Sequence, residues 1–442
     1  MSERNASVLT SLQAIAKKAS ERPEYRFRDL FRLLNEEMLR DSWQYIRKNA
    51  ACGVDRVSAA EYEQNLESNI HQLVEELKRK RYRAKNVLRR YIPKGNGKLR
   101  PLGIPATQDK LLQMAVKRIL EAIFEQDFLL CSYGYRPGVG ILDAVDKLTV
   151  KLQFGKYNYV VEADISGFFD NIDHAWMLKM LAERVDDKSF LWLIEKWLKA
   201  GVLETDGKVL HPVTGTPQGG IVSPILANIY LHFALDLWFQ KVVIPHCSGE
   251  AFLIRYADDF VCAFEKEEDA RRFYEALGER LKKFNLELCA EKTRILPFSP
   301  SGPMGSTSFN FLGFEFRWGK DRAGKPHLDK RTARKSLRNS LTRFKLWFKE
   351  NRHRRLPDLF RLLNAKLTGY FNHYGVHGNL RSLEFFYYQV IRQMWKYLNR
   401  RSQRKSYNWE GFKQLMTQFG VVKPHIVNRP RRERKAFVPG LA

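Results

Sequence analysis

Residues Phe252–Phe264 read FLIRYADDFVCAF, an apolar run on either side of two acids. Strand-forming flanks around a tight polar tip mark a β-hairpin, with Asp258 and Asp259 at its turn. Adjacent carboxylates repel one another, which costs stability unless a cation neutralises them. A second strand, Tyr157–Ile165 (YNYVVEADI), ends on another acid, Asp164. Neither strand needs these acids to fold. An acid pair in a turn is ordinarily just solvated; apolar flanks and a second acid-ended strand argue otherwise here. Hard oxygen ligands of this kind suit Mg²⁺, which also binds substrate phosphates. Two such ions a few ångströms apart would stabilise the attacking and leaving oxygens of a phosphoryl displacement.

Outward from this centre the chain alternates helices with short hairpins. Residues 7–49 and 59–80 carry helical apolar spacing, the latter as one amphipathic helix through Tyr62, Leu66, Ile70, Leu73 and Leu77. Tyr91–Pro105 (YIPKGNGKLRPLGIP) predicts a hairpin turning at Gly95-Asn96-Gly97, basic at its tip through Lys94, Lys98 and Arg100. A helix is expected over about 108–126, and helical structure over 175–199. The Gly/Pro loop Thr214–Pro224 (TGTPQGGIVSP) opens a helix at Ile225–Leu237, and 267–284 forms another. Phe309–Trp318 (FNFLGFEFRW) is a further hairpin. After Pro326 the pattern predicts helices alone. One runs from Pro357 to Gly375, and one is capped by Asn379 with Leu380, Leu383, Tyr387, Ile391, Met394 and Leu398 on one face.

The 442 residues hold 76 Lys+Arg against 49 Asp+Glu, a net charge of +27. Of these, 26 basic residues and only five acids fall in 331–442, so this quarter carries +21 and the first 330 residues +6. Such asymmetry points to a polyanion, either nucleic acid or an anionic membrane. An apolar fraction of 44% excludes a largely disordered basic protein. No apolar run approaches the ~20 residues of a spanning helix, and the N-terminal stretch lacks the apolar core of a signal peptide. The five cysteines are scattered with no CxxC spacing, which argues against a zinc module or a disulfide scaffold and for a reducing cytosol.

Arg255–Phe260 (RYADDF) matches the YxDD motif of reverse transcriptases. With it come, in order, Ile92–Pro105 (IPKGNGKLRPLGIP), Ser132–Gly138 (SYGYRPG), Asp164–Asp173 (DISGFFDNID), Gly215–Tyr230 (GTPQGGIVSPILANIY), Leu286–Arg294 (LELCAEKTR) and Phe311–Phe316 (FLGFEF). This succession resembles the group II intron-encoded reverse transcriptases over about residues 50–420. The resemblance implies an α+β right-hand polymerase fold: fingers, a palm with an antiparallel sheet, and a helical thumb. It apportions the chain as a helical extension (1–50), fingers (51–155), palm (156–322), thumb or maturase domain (326–405) and a short basic segment (406–442).

The resemblance also assigns roles. Asp164, Asp258 and Asp259 would be catalytic and, with the carbonyl of Ile165, would hold two Mg²⁺ ions, Mn²⁺ being the substitute. Lys94, Arg100, Phe169, Gln218 and Lys292 would contact the incoming dNTP. Phe169 would be the steric gate that rejects a ribose 2′-OH, while Phe168 packs in the core. Gly219 and Gly220 would let the backbone approach closely. Phe311, Leu312 and Gly313 would grip the primer end. Phe371–Gly375 (FNHYG) and Ser402–Phe412 (SQRKSYNWEGF) resemble the family's thumb. Arg343, Lys345, Lys349, Arg400, Arg401, Arg404 and Lys405 would neutralise phosphates there. Aromatic residues interleave with them, able to stack on bases or to pack the helices together.

Two departures stand out. Val139-Gly140-Ile141-Leu142 replaces a polar stretch common in relatives, and no HNH-type Cys/His cluster follows to Ala442, so an endonuclease is not expected. The expected activity is RNA-directed DNA synthesis in the cytosol, from dNTPs on an RNA template, with an RNA or DNA primer and a DNA target in reach. A maturase role on intron RNA, with polymerisation secondary, and a domesticated enzyme of defence or repair are the alternatives.

Overall fold

In the computed structural model, residues 3–93, 99–302, 307–401, 406–427 and 438–439 are described. The chain divides into two compact units, one of Met1–Gly140, Val161–Ile295 and Arg434–Ala442, the other of Ile141–Val160 and Leu296–Glu433.

The first unit mixes helices with two sheets. Strands β1 (Val87–Pro93), β2 (Leu99–Ile104), β4 (Val202–Leu203) and β5 (Val209–Leu210) form a sheet in the order β2-β1-β4-β5. β1 and β2 are antiparallel, Pro93 facing Leu99; the expected turn and Lys94 lie outside the described residues. A five-stranded sheet runs β6-β7-β3-β8, from β6 (Ala251–Tyr256), β7 (Asp259–Phe264), β3 (Tyr159–Ser166) and β8 (Glu287–Leu288); β9 (Arg294–Pro297) completes the five. Between the sequence positions of β2 and β3 lies the helix Thr107–Phe124, buried on nearly every side: Leu111, Leu112, Ala115, Val116, Ile119 and Leu120 are all at 0% exposure. Its buried polar residues are paired: Asp109 accepts from Tyr82 at 2.7 Å and Lys110 donates to the Ala51 carbonyl at 2.5 Å.

Two helical expectations resolve differently. Residues 59–80 are two helices, Ala59–Gln64 and Leu66–Lys78, broken at Asn65; the first starts at a capping box between Ser58 and Glu61. The helix opened by the Gly/Pro loop, Ser223–Leu231, continues through two π-helical turns, His232–Asp236 and Phe239–Val243, to His246.

The second unit holds the helix Ile141–Phe154 and the antiparallel sheet of β10 (Ser308–Phe311), β11 (Phe314–Lys320) and β12 (Pro326–Thr332). Four helices follow: Arg334–Asn351, Leu356–Tyr374, Leu380–Leu398 and Trp409–Gln418. The all-helical stretch therefore begins at Arg334, not Pro326. In β12, Leu328, Lys330 and Thr332 alternate inward along a polar sequence, so no apolar signal marks it as a strand. The helices share a core through Phe344, Phe348, Leu363, Leu367, Phe371, Leu383, Phe386, Val390 and Met394. Asn379 sits at the expected cap position, yet its side chain caps nothing. Its Oδ1 accepts the Thr332 N–H at 2.8 Å and its Nδ2 donates to Thr332 Oγ1 and to the Tyr374 carbonyl. At 0% exposure, both N–H donors are spent and the oxygen is held toward Thr332, which turns the amide away from the helix.

Candidate active site

Sheet geometry brings the three acids together. Along β3, Val161, Ala163 and Ile165 are buried, so the period of two puts Asp164 on the other face. β7 lies beside β3, and Asp259 is its first residue. The β6–β7 turn is only Ala257-Asp258, since Tyr256 pairs with Asp259. Ala257 has φ 57°, a left-handed conformation that ordinarily calls for glycine. Gly134, from the SYGYRPG block, explains how that turn is hemmed in. A Cβ on Gly134 would stand 2.3 Å from the Ala257 nitrogen.

The electrostatics are those of crowded carboxylates. Asp259 is pushed up to about 7 by burial, by the charges of Asp258 and Asp164, and by a hydrogen bond shared with Asp164. Asp258 is also raised, chiefly by burial, with Arg100 and Lys292 and its own backbone N–H opposing. Lys292 donates to Asp164 Oδ2, and this bond raises the lysine. Among the described residues no set of three His, Cys, Asp or Glu side chains is drawn together closely enough to hold an ion as it stands. The donor chemistry nonetheless fits a divalent cation. These are hard anionic oxygens, and burial together with mutual repulsion raises both Asp258 and Asp259, a cost that a cation would offset.

The remaining site residues surround this centre unevenly. Ile165 has its side chain in the core at 3% exposure and pairs with Leu288 of β8. Phe168 is buried at 2%, edge-on to the half-buried Phe169 with ring centroids 5.3 Å apart. The Phe169 carbonyl accepts the Thr216 N–H at 2.8 Å, and Gly215 N–H donates to Ile172, so the Gly/Pro loop is stitched to the Phe169 turn. Gly215, at φ 93°, is required there because a Cβ would meet the Asp170 carbonyl at 2.8 Å. The Gln218 side chain is half-buried, and its carbonyl accepts the Gly103 N–H of β2 at 2.6 Å. Gly219 comes within reach of the Gly103 carbonyl, where a Cβ would stand 2.7 Å away. Arg100 is exposed on β2, and its charge acts on Asp258.

In the second unit, Leu312 and Gly313 form the two-residue turn of the β10–β11 hairpin, both with positive φ (51° and 86°), and Phe311 is buried at 4%. Arg343, Lys345 and Lys349 are exposed on the helix Arg334–Asn351, whereas Phe344 and Phe348 between them belong to the core. Those two rings therefore pack helices and are not free to stack on bases. Arg400 is exposed; Arg401 is half-buried and donates to the Arg354 carbonyl at 2.7 Å. Arg404 and Lys405 lie outside the described residues. No described helix is long and apolar enough to cross a membrane.

Sequence reasoning missed the support beneath the catalytic turn. Arg255 is wholly buried and held by Asp236. The signal was available: one arginine in an apolar strand and one aspartate in an apolar helix need each other. Tyr135 was also passed over. It has φ 59°, is 47% exposed, and its phenol is raised by burial and by the Asp258 charge, which places it beside the acids.

Comparisons with known proteins show the family. Residues 92–316, a span containing all three acids, match the family profile described as reverse transcriptase (RNA-dependent DNA polymerase). The group II intron-encoded protein LtrA of Lactococcus lactis subsp. cremoris is 30% identical over 462 aligned residues, covering 85% of this chain and 75% of that protein. Protein YkfC of Escherichia coli K12 is 31% identical over 356 residues, 72% of this chain and 90% of YkfC. The mitochondrial nuclear intron maturase 4 of Arabidopsis thaliana is 27% identical over 149 residues, 33% of this chain and 18% of that protein. The chain belongs to the reverse transcriptase family, in its group II intron-encoded branch.

Proposed function

We propose that this protein synthesises DNA on an RNA template, adding dNTPs to a primer 3′-OH, and that it assists its intron RNA in splicing and mobility. The observation that carries the polymerase reading is the convergence of Asp164, Asp258 and Asp259 at one end of two neighbouring strands, with Asp259 pushed up to about 7 by burial and by the charges of the other two. In the reaction the 3′ oxygen bonds the α-phosphorus, the α–β bridging P–O bond breaks, and pyrophosphate leaves. Asp164, Asp258 and Asp259, with the Ile165 carbonyl, would hold two Mg²⁺ ions, which when bound neutralise charge on the attacking and leaving oxygens.

The protein's own groups do the remaining work. Lys292 and Arg100 would supply positive charge to the triphosphate, a role the family resemblance extends to Lys94. Phe169 stands where a ribose 2′-OH would clash, and Gln218 meets the nucleotide or template. Phe311-Leu312-Gly313 holds the primer end. A right-hand layout of fingers (51–155), palm (156–322) and thumb (326–405), flanked by a helical extension (1–50) and a basic segment (406–442), is the architecture this reading calls for.

The maturase component rests on the relatives' names and on exposed cations. Arg343, Lys345 and Lys349 face outward from a helix whose aromatics face the core. Template, primer, intron RNA and a DNA target are all polyanions suited to that surface. The five cysteines are joined by no disulfide, in keeping with a cytosolic setting.

The test is primer extension by the full-length protein on an RNA template with dNTPs and Mg²⁺. Template-dependent elongation, abolished in Asp164→Asn, is expected. Elongation unaffected by that substitution would refute the assignment. Splicing of the cognate intron with and without protein tests the maturase component; equal splicing would refute it.

A further inference from the structure

The catalytic turn rests on a buried charge network that polymerisation as proposed does not use directly. Arg255 is at 0% exposure, and so are Asp236, Asn228 and Ser132. An arginine has five N–H donors, and here every one is spent. Nε donates to Asp236 Oδ1 at 2.7 Å and Nη2 to Asp236 Oδ2 at 2.6 Å. Nη2 also donates to Ser132 Oγ at 2.7 Å. Nη1 donates to Asn228 Oδ1 and to the Ala257 carbonyl, both at 3.1 Å.

The backbone continues the same junction. Arg255 N–H donates to Cys131, Tyr133 N–H donates back to Arg255, and Asn228 Nδ2 donates to the Gly134 carbonyl at 2.7 Å. One guanidinium thus joins the SYGYRPG block, the helix after the Gly/Pro loop, the π-helical turn ending at Asp236, and strand β6.

The bond to Ala257 is the informative one. The Ala257 carbonyl and the Asp258 N–H belong to one peptide plane. The Asp258 carboxylate accepts from that same N–H. Fixing the Ala257 carbonyl therefore fixes the plane on which Asp258 aims its oxygens. The turn needs such a hold, because Ala257 occupies a left-handed conformation unfavourable to a residue with a Cβ. Stability alone does not require an ion pair here, since well-packed apolar residues often replace a buried pair without loss. Apolar residues cannot hold a carbonyl.

We propose that Arg255, held by Asp236, Asn228 and Ser132, is a positioning residue that sets the orientation of Asp258 for nucleotide addition. The network touches no substrate and acts through the Ala257–Asp258 peptide. The inference rests on the polymerase reading above, and wild-type extension in the same assay tests that reading separately.

The experiment compares full-length wild type, Arg255→Lys, Ser132→Ala, and the double swap Arg255→Met with Asp236→Leu. Lysine keeps the charge but offers three donors for four partner groups. The double swap removes both charges, so no buried charge is left unpaired, while the Asn228, Ser132 and Ala257 oxygens lose their arginine donor. Melting temperature, template–primer affinity, and single-nucleotide kcat and KM for dNTP are measured at one temperature.

The double swap and Arg255→Lys are expected to melt near wild type and to bind template–primer as well. Their kcat falls on the order of 100-fold, as for a small misplacement of a reacting group. KM for dNTP is unchanged, and the Mg²⁺ concentration for half-maximal rate rises. Ser132→Ala, which leaves Asp236 paired, shows a smaller fall of the same kind and decides the matter if the other two do not fold. Arg118→Lys is the structural control. It perturbs a largely buried pair with Asp41 (2.6 Å) and is expected to lower the melting temperature and leave kcat unchanged. A folded Arg255 variant, or Ser132→Ala, with wild-type kcat and Mg²⁺ dependence overturns the inference alone. An inactive wild type overturns the polymerase reading and this inference with it.

Discussion

Replacing Asp259 with Asn should stabilise the metal-free protein, and only at higher pH. In the folded chain Asp259 is raised from 3.8 to about 7, first by burial, then by Asp258 and Asp164. A group with a raised folded value binds its proton more tightly folded than unfolded. Its penalty is therefore absent below about pH 4, grows between about 4 and 7, and is complete above 7. Taken in full, such a shift corresponds to about 4 kcal/mol. Asp259 keeps part of its surface open to solvent at the head of β7 even though its carboxyl is crowded by Asp258 and Asp164, so water screens much of that, and about 1–2 kcal/mol is the expected cost.

Asparagine carries no charge, keeps the shape, and can still donate to Asp164. Thermal melts of both proteins in EDTA at pH 4.5, 6 and 8 should show curves that coincide at the lowest pH. At pH 8 the variant should melt a few degrees higher. Mg²⁺ added at pH 8 should raise the wild type more than the variant, because ligand binding to the folded state stabilises it. A difference independent of pH, or a variant less stable at pH 8, would refute the reasoning.

Further outcomes are expected. Phe169→Ala should incorporate ribonucleotides alongside dNTPs in single-nucleotide addition; unchanged sugar discrimination would contradict the gate. Reversing Arg343, Lys345 and Lys349 to Glu should weaken RNA binding and flatten the plot of log affinity against log salt by about three if each meets a phosphate. Equal slopes would move the RNA surface elsewhere. Gly134→Ala should destabilise by about 1–3 kcal/mol through overpacking and slow nucleotide addition, since the new methyl meets the Ala257 nitrogen. A variant that melts and extends like wild type would show that the turn can give way.

Much of the site was legible because its residue types contradict their surroundings. Acids at the ends of apolar strands demand a chemical reason, and Gly219 and Gly220 mark backbone that must come close to a neighbour. Other features left no such trace. β12 reads as a polar loop because its inward positions include Lys330 and Thr332, which the Cβ alternation buries and apolar patterning cannot reveal. Lys330 is paired with Asp146 at 3.1 Å, a partner distant in sequence. Asn379 stands where a cap belongs, but its amide is drawn to Thr332, 47 residues away. Phe344 and Phe348 alternate with cations in a way that suits base stacking equally well, and only the helix packing commits them to the core. Arg255 and Asp236 are 19 residues apart in two apolar segments. Each alone is an oddity; together they are the support of the catalytic turn.

The most direct test of the central claim is single-nucleotide addition to a DNA primer on an RNA template with Mg²⁺, comparing wild type with Asp258→Ala. Wild type is expected to add the complementary dNTP and release pyrophosphate. The variant is expected to bind the same template–primer with nearly unchanged affinity and to add nothing detectable. Addition by Asp258→Ala at the wild-type rate would contradict the account.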